Sequence, residues 1–242
     1  MVTEPELPNN MMMNTEHATP GIVTTAEGIH TLKDHTMNEC YHSIHGSLQE
    51  SMHVFIENGL KATHPSAQKL SILEIGFGTG LNALLTYREN LSLNKLIHYT
   101  AVEAYPLPAE LISKLNFFDF IDSSLQSVFF KMHDCNWFET VSLPSEEAGN
   151  FFLFKIREDL LELKFDDHYD LVYYDAFSPV HQPELWTFEV FEKIYHACHR
   201  GAVLVTYCSK GEVKRALAKA GFIVTSLQGP KGKREMIRAL KN

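Results

Sequence analysis

Three glycines and a few carboxylates hold most of the chemistry this chain offers. In LEIGFGTGLNALL (73–85), Glu74, Gly76, Gly78 and Gly80 stand at alternate positions. Alternating glycines let the backbone turn sharply and let a ligand approach it, because no Cβ stands in the way. A helix opening at Asn82 aims its free N–H groups back at that turn. Glu103 closes the apolar run LIHYTAV. It lies about twenty residues beyond the glycines, where folds of this kind set an acid on ribose hydroxyls. Asp175 closes YDLVYY, and Asp159 follows FFLFKI at a short distance. Acids at the ends of successive apolar runs suit a ligand with a sugar and a cationic centre.

Glycine spacing separates the candidate cofactors. A dinucleotide fingerprint reads G-x-G-x-x-G, whereas here Leu81 falls where the third glycine would stand. Glu74 would also sit close to a negative pyrophosphate. These two points oppose a nicotinamide-dependent oxidoreductase. E-x-G-x-G-x-G resembles motif I of class I S-adenosylmethionine (SAM) dependent methyltransferases, which implies SAM as the cofactor. A glycine-rich turn without a ligand is the bland alternative.

The elements that position these residues follow from periodicity. Short apolar runs at 71–75, 96–102, 151–156, 169–174, 201–207, 222–227 and 235–239 read as strands. A helix follows the glycines, others are expected over 188–199 and 211–220, and 106–143 reads as mostly helical and irregular. Strands alternating with helices predict a parallel α/β sheet with ligands at the C-terminal strand ends. Ahead of it, 22–32 reads as a β-hairpin turning at Glu27-Gly28. A helix is expected over 47–60, with Leu48, Met52, Phe55 and Ile56 on one face. The domain reading is a disordered tail over 1–20, an extension over 21–65 and a catalytic domain over 66–242.

Composition narrows the class. At 242 residues and 45% hydrophobic content the chain can bury a sizeable core. It shows no leading apolar segment and no run long enough to span a membrane, so a cytoplasmic protein is expected. Cys40, Cys135, Cys198 and Cys208 are scattered without C-x-x-C spacing, and His42, His45 and His53 lack partners at ligand spacing. No metal and no disulfide framework are expected. The net charge of -9 opposes indiscriminate coating of nucleic acid. Cations nevertheless gather near the C-terminal end, at Lys210, Lys214, Arg215, Lys219, Lys231, Lys233, Arg234 and Arg238.

Four ordered runs are more specific than the glycine turn: DAFSP (175–179) with QPELWT (182–187), TYCSKGEVKRAL (206–217) and GPKGKREM (229–236), preceded by YHSIHG (41–46) and QES (49–51). Together they resemble the methyltransferase domain of the MnmC family, in its stand-alone form, from about residue 23 to 236. Two positions depart from the family pattern. Glu158 stands where a glycine usually precedes the acid matched by Asp159, and Lys214 replaces an arginine, losing a bidentate fork.

The resemblance implies an α/β class I SAM-dependent methyltransferase (Rossmann-like) sheet with an N-terminal hairpin and helix extension. Its implied reaction is N-methylation of 5-aminomethyl(-2-thio)uridine at the wobble position of tRNA. Glu74, Gly76, Gly78, Gly80, Glu103, Asp159 and Asp175 would bind the cofactor, and Asp175 would also be catalytic. Phe177, Trp186 and Tyr207 would offer aromatic faces to a flipped base, and Lys210, Lys233 and Arg234 would meet the tRNA backbone. The expected partners are tRNA and a separate oxidase or the enzymes that make the aminomethyl group. No FAD is expected, since no second glycine fingerprint follows. Open alternatives are a SAM-dependent methyltransferase acting on a small molecule or protein, and a non-catalytic tRNA-binding relative. Asp175 could equally cap the following turn, and the cations could be a solvated helix face.

Overall fold

The apolar runs that end on acids become the middle of one mixed sheet. The computed structural model describes residues 19–63, 66–144, 150–166 and 168–242, so the tail expected over 1–20 lies almost wholly outside the described residues. In chain order the elements are β1 (Gly21–Thr24), β2 (His30–Asp34), β3 (Glu39–Cys40), α1 (Ser47–Ser51), β4 (Lys69–Ile75), α2 (Leu81–Leu93), β5 (Leu96–Val102), α3 (Ala109–Ile112), α4 (Phe117–Ile121), α5 (Gln126–Asp134), β6 (Thr140–Ser142), β7 (Phe151–Ile156), β8 (Tyr169–Tyr174), α6 (Phe188–His196), β9 (Cys198–Thr206), α7 (Gly211–Lys219), β10 (Ile223–Gln228) and β11 (Glu235–Leu240).

Strand order in the large sheet is β10-β11-β9-β8-β4-β5-β7-β6. The five middle strands β9, β8, β4, β5 and β7 are parallel, as the alternation predicts. The edges are not: β6 runs antiparallel to β7, and β11 runs antiparallel to both β9 and β10. A short turn joins β10 to β11, and only antiparallel strands can be joined that way. β10 therefore runs with the middle strands, and the turn after it (229–234) reaches the same sheet edge as their C-terminal ends.

Side-chain alternation on each strand feeds two cores. Leu70 and Ile72 of β4 pack into one with Phe55, Leu84 and Phe129, while Leu73 and Ile75 join Phe191, Leu204 and Leu217 in the other. Each fully buried side chain of this size contributes about 1.5–3 kcal/mol.

Two helices differ from the sequence reading. The helix expected over 188–199 stops at His196, because Cys198 is drawn into β9, where it pairs with Tyr169. Lys241 Nζ fixes that junction by donating to the carbonyls of Tyr195 and Cys198. The helix expected over 47–60 passes from α1 into π winding over Met52–Leu60. The wider winding buries Val54, Gly59 and Leu60 along with Phe55 and Ile56, and leaves Met52 half-buried.

The expected hairpin forms from β1 and β2, and β3 adds a third strand through the pairs Lys33↔Cys40 and Asp34↔Glu39. The turn between β2 and β3 is made by Asp34, whose Oδ1 accepts the N–H groups of Thr36 and Met37, both at 2.8 Å. That strand leads the chain across the C-terminal ends of the parallel strands.

Candidate active site

A cavity of about 820 Å³ opens where β4, β5, β7 and β8 end, with the segment from Asp34 to Glu50 as one wall. The glycine turn is its floor. Gly76 has φ +88, and a Cβ there would lie 2.7 Å from the Asp175 carbonyl oxygen, so the ends of β4 and β8 close on each other only without a side chain. Gly78 has φ +48 and carries the Tyr41 ring against it, 3.2 Å from where its Cβ would be. Its N–H donates to Glu103 Oε2 at 2.9 Å, and the Tyr105 N–H donates to Oε1 at 2.8 Å. Both oxygens are thereby oriented, each with acceptor capacity left over. Burial pushes the Glu103 carboxyl up, against the pull of these N–H groups and that of Ala104. Asp159 lines the wall beyond β7, with its Oδ1 accepting the Leu161 N–H at 2.8 Å.

Asp175 ends β8, and its Oδ2 accepts from Asn82 Nδ2 of α2 at 2.8 Å. Its partner is thus a side chain of the glycine-turn helix and not the turn that follows. Burial pushes its carboxyl up to about 8; Asn82 opposes this, Glu50 adds to it and Lys233 draws it down. The next three residues are each pinned from a different direction. Tyr207 Oη donates to the Ala176 carbonyl at 2.9 Å, and Trp186 Nε1 donates to the Phe177 carbonyl at 2.8 Å. Glu39 Oε2 accepts from Ser178, from the N–H at 3.2 Å and from the hydroxyl at 3.1 Å. The Phe177 ring meets Tyr41 edge-on, with centroids 5.0 Å apart.

The cavity gathers Gly76, Gly78, Glu103, Asp159, Asp175, Phe177, Tyr207 and Lys233. Five expected site residues lie elsewhere. Glu74 is fully buried behind the wall, on the β4 face of Leu70 and Ile72 that α2 covers. Its two oxygens have no hydrogen-bond partner among the described residues; Tyr99 and Asn82 are close but outside bonding geometry. Burial, with Asp175 nearby, pushes Glu74 well above the carboxylate range, which favours its neutral form inside the core, away from the cavity. Gly80 caps α2 beneath the His133 ring, away from the cavity wall. Trp186 is 5% exposed and packs on Tyr174, Phe191 and Tyr207, so it braces the Phe177 loop and offers no open face. Lys210 pairs with Glu212 at 3.8 Å outside the cavity, and Arg234 is exposed.

Lys233 corrects the sequence reading in the opposite sense. Expected on the surface beside Arg234, it turns into the cavity, pairs with Glu50 and lies 4.1 Å from the centre of the Tyr207 ring. Sequence reasoning also left Glu39, Tyr41, His42, Glu50 and Asn82 out of the site. The runs YHSIHG and QES carry a signal for Tyr41, His42 and Glu50, Asn82 is a polar residue at the head of an apolar helix, and Glu39 has no local signal. His42 bridges Thr31 Oγ1 at 3.0 Å and Thr79 Oγ1 at 3.2 Å, and burial lowers it to about 4, so it is neutral. Among the described residues no group of three or more His, Cys, Asp or Glu could hold a metal ion, and no helix is long and apolar enough to cross a membrane.

The donors fit SAM. A side-chain-free floor leaves room for a ligand to meet the backbone, and an oriented carboxylate at the end of the second parallel strand suits two vicinal hydroxyls.

Comparison with known proteins agrees with the geometry. A family model described as S-adenosyl-L-methionine-dependent methyltransferase matches residues 121–242. The "tRNA 5-methylaminomethyl-2-thiouridine biosynthesis bifunctional protein MnmC" of Burkholderia multivorans is 30% identical over 216 residues, covering 86% of this chain and 33% of that protein. The namesake protein of Nitrosospira multiformis is 32% identical over 214 residues, covering 83% and 34%. The chain thus spans about a third of the length of the curated relatives it matches. Among solved structures, MNMC2 from Aquifex aeolicus superposes with a TM-score of 0.69 at 25% identity, over 94% of this chain and 72% of that one. Spermidine synthase from Thermotoga maritima, at 16% identity and a TM-score of 0.52 over 88% of this chain and 69% of its own, shares the fold alone. With the family model covering half of its length, the chain belongs to the S-adenosyl-L-methionine-dependent methyltransferases.

Proposed function

We propose that this methyltransferase N-methylates the aminomethyl group of 5-aminomethyl(-2-thio)uridine at the wobble position of tRNA. The observation that carries the reading is Asp175: a carboxyl at a strand end, inside the cavity, with burial holding it near 8. An aliphatic amine is largely protonated near neutral pH, and only its neutral form has a lone pair with which to attack. A carboxyl that itself titrates near 8 is matched to sharing the amine's proton.

SAM, when bound, supplies an electrophilic methyl group on a sulfonium. The chain's own residues do the rest. Gly76 and Gly78 give the backbone floor, Glu103 would take the ribose hydroxyls, and Asp159, on the wall beyond β7, would meet the adenine. Asn82 fixes the direction of the Asp175 carboxyl, so that the proton leaves the amine nitrogen for an oxygen already oriented. Phe177, steadied by Trp186 through its carbonyl, is the face on which a flipped base would stack. Within the extension, the segment from Asp34 to Phe55 acts as the wall that closes the site on the catalytic domain.

The names of the aligned relatives and of the Aquifex structure support tRNA as the substrate. Exposed Arg215, Lys231 and Arg234 supply cations outside the cavity, which a small-molecule methyltransferase has no use for. The reading places the protein in the cytoplasm, acting on an amine made by other enzymes, with which it could associate. Nucleoside mass spectrometry of tRNA from cells lacking this protein tests it. Unmethylated 5-aminomethyluridine accumulates if the reading is right; unchanged levels of the methylated nucleoside overturn it.

A further inference from the structure

Lys233 has a task that a phosphate contact does not explain. It sits in the turn between β10 and β11 beside Lys231 and Arg234, yet those two are exposed and Lys233 is half-buried, with 35% of its side chain open to solvent. The turn closes tightly: a Cβ on Gly229 would lie 2.5 Å from the Lys233 carbonyl oxygen. Lys233 Nζ pairs with Glu50 Oε1 and lies over the Tyr207 ring. Glu50 is 8% exposed, and its second oxygen accepts the Ser43 N–H at 3.1 Å. Both charges line the cavity that holds Asp175. Two carboxylates that line one cavity oppose each other's ionisation, and a cation paired with one of them relieves it.

We propose that Lys233 is a positioning residue for catalysis: its ammonium, held by Glu50 and the Tyr207 ring, is the counter-charge that lets Asp175 accept a proton from the acceptor amine. The inference rests on the reading of Asp175 given above. The proton moves from the amine nitrogen to an Asp175 oxygen, and Lys233 keeps its own protons throughout. The polar groups facing Asp175 are Asn82 from α2, Glu50 from α1, Lys233 from the turn, Tyr207 beyond β9, Glu74 from β4 and Tyr99 from β5. Burial raises Glu74 and both tyrosines, which favours the neutral form of each. Glu50 and Lys233 are the charged pair, and they act on Asp175 with opposite sign.

That opposition is what the experiment reads. Single-turnover methylation is followed with saturating SAM and aminomethylated tRNA between about pH 6 and 10. The amine's own ionisation is common to every variant, so only differences between variants count. Lys233→Met moves the acid limb up by about one pH unit, which is about tenfold in rate on the limb. Glu50→Gln moves it down, and Lys233→Arg restores the wild-type profile. The double variant Glu50→Gln/Lys233→Met leaves no unpaired charge and returns the limb toward wild type, which keeps the test readable should a single variant fail to fold. An unmoved limb in Lys233→Met with a raised KM for tRNA and a flatter salt dependence overturns the inference in favour of a phosphate contact. Equal, pH-independent losses in Lys233→Met and Glu50→Gln overturn it in favour of a structural prop. Asp175→Asn keeps the two readings apart. Normal turnover in that variant sinks the role of Asp175 itself, whereas collapsed turnover with unmoved limbs in the other variants sinks only the role of Lys233.

Discussion

Replacing Glu103 by Gln separates two tasks that one carboxylate performs. In the folded chain it receives the N–H groups of Gly78 and Tyr105, one on each oxygen. A glutamine oxygen can answer only one of them, and its NH2 group faces the other. The Gly78 bond is half-buried and the Tyr105 bond is exposed, so water can answer the N–H left over and the loss of thermal stability without ligand is held to about 1 kcal/mol. Cofactor binding loses a different quantity. The remaining lone pairs would take ribose hydroxyls in charge-assisted bonds, whose loss is worth about 1–3 kcal/mol, or roughly 5- to 150-fold in Kd. Calorimetric titration with SAM measures this directly, and NADH serves as the negative control. Burial raises the Glu103 carboxyl, and hydroxyl donors favour the ionised form. Wild-type affinity is therefore full at alkaline pH and falls as pH drops through that raised value, while the Gln variant is flat. A variant that melts earlier yet binds SAM within about twofold of wild type, a difference below about half a kcal/mol, would mean that Glu103 only supports the glycine turn.

Four further outcomes follow from the same geometry. Asp175→Asn should lower turnover by roughly 10²–10⁴ in a single-turnover assay while SAM still binds; near-normal turnover would leave Asp175 a purely structural residue. Trp186→Phe removes the bond to the Phe177 carbonyl and should cost about 1 kcal/mol of stability, with a loss in kcat larger than any change in SAM affinity. Lys231→Ala/Arg234→Ala should weaken tRNA binding and reduce the log–log salt slope by roughly two, without touching SAM affinity. Glu74→Gln should leave SAM affinity unchanged and stabilise the fold as pH rises. Burial raises the wild-type acid, so its contribution to stability is present at low pH and lost on the way up, and melting curves at several pH values show whether the gap widens.

The glycine turn and the strand ends were legible because their signals are local. Three alternating glycines, short apolar runs and the acids that stand at or just past the ends of four of them need no knowledge of distant residues. Glu74 was readable too. It shares parity on β4 with Leu70 and Ile72, so it had to face the core beneath α2 and not the ligand. What the sequence concealed came from long-range contacts. Glu39 reaches Ser178 across 139 positions and Lys233 reaches Glu50 across 183, and nothing in the spacing of either pair announces the meeting. Lys233 looks like one more cation in a basic run until the β10–β11 turn directs it inward. The antiparallel edge that places this turn depends on a hairpin whose strands, taken singly, read like the others.

The most direct measurement uses the purified protein, SAM labelled in its methyl group, and tRNA whose wobble uridine carries the free aminomethyl group. Digestion to nucleosides and mass spectrometry follow the label. The account predicts labelled 5-methylaminomethyluridine from the wild-type chain and almost none from Asp175→Asn at equal SAM occupancy. Label in another nucleoside, or none in tRNA while a small amine or a protein accepts it, would contradict the account.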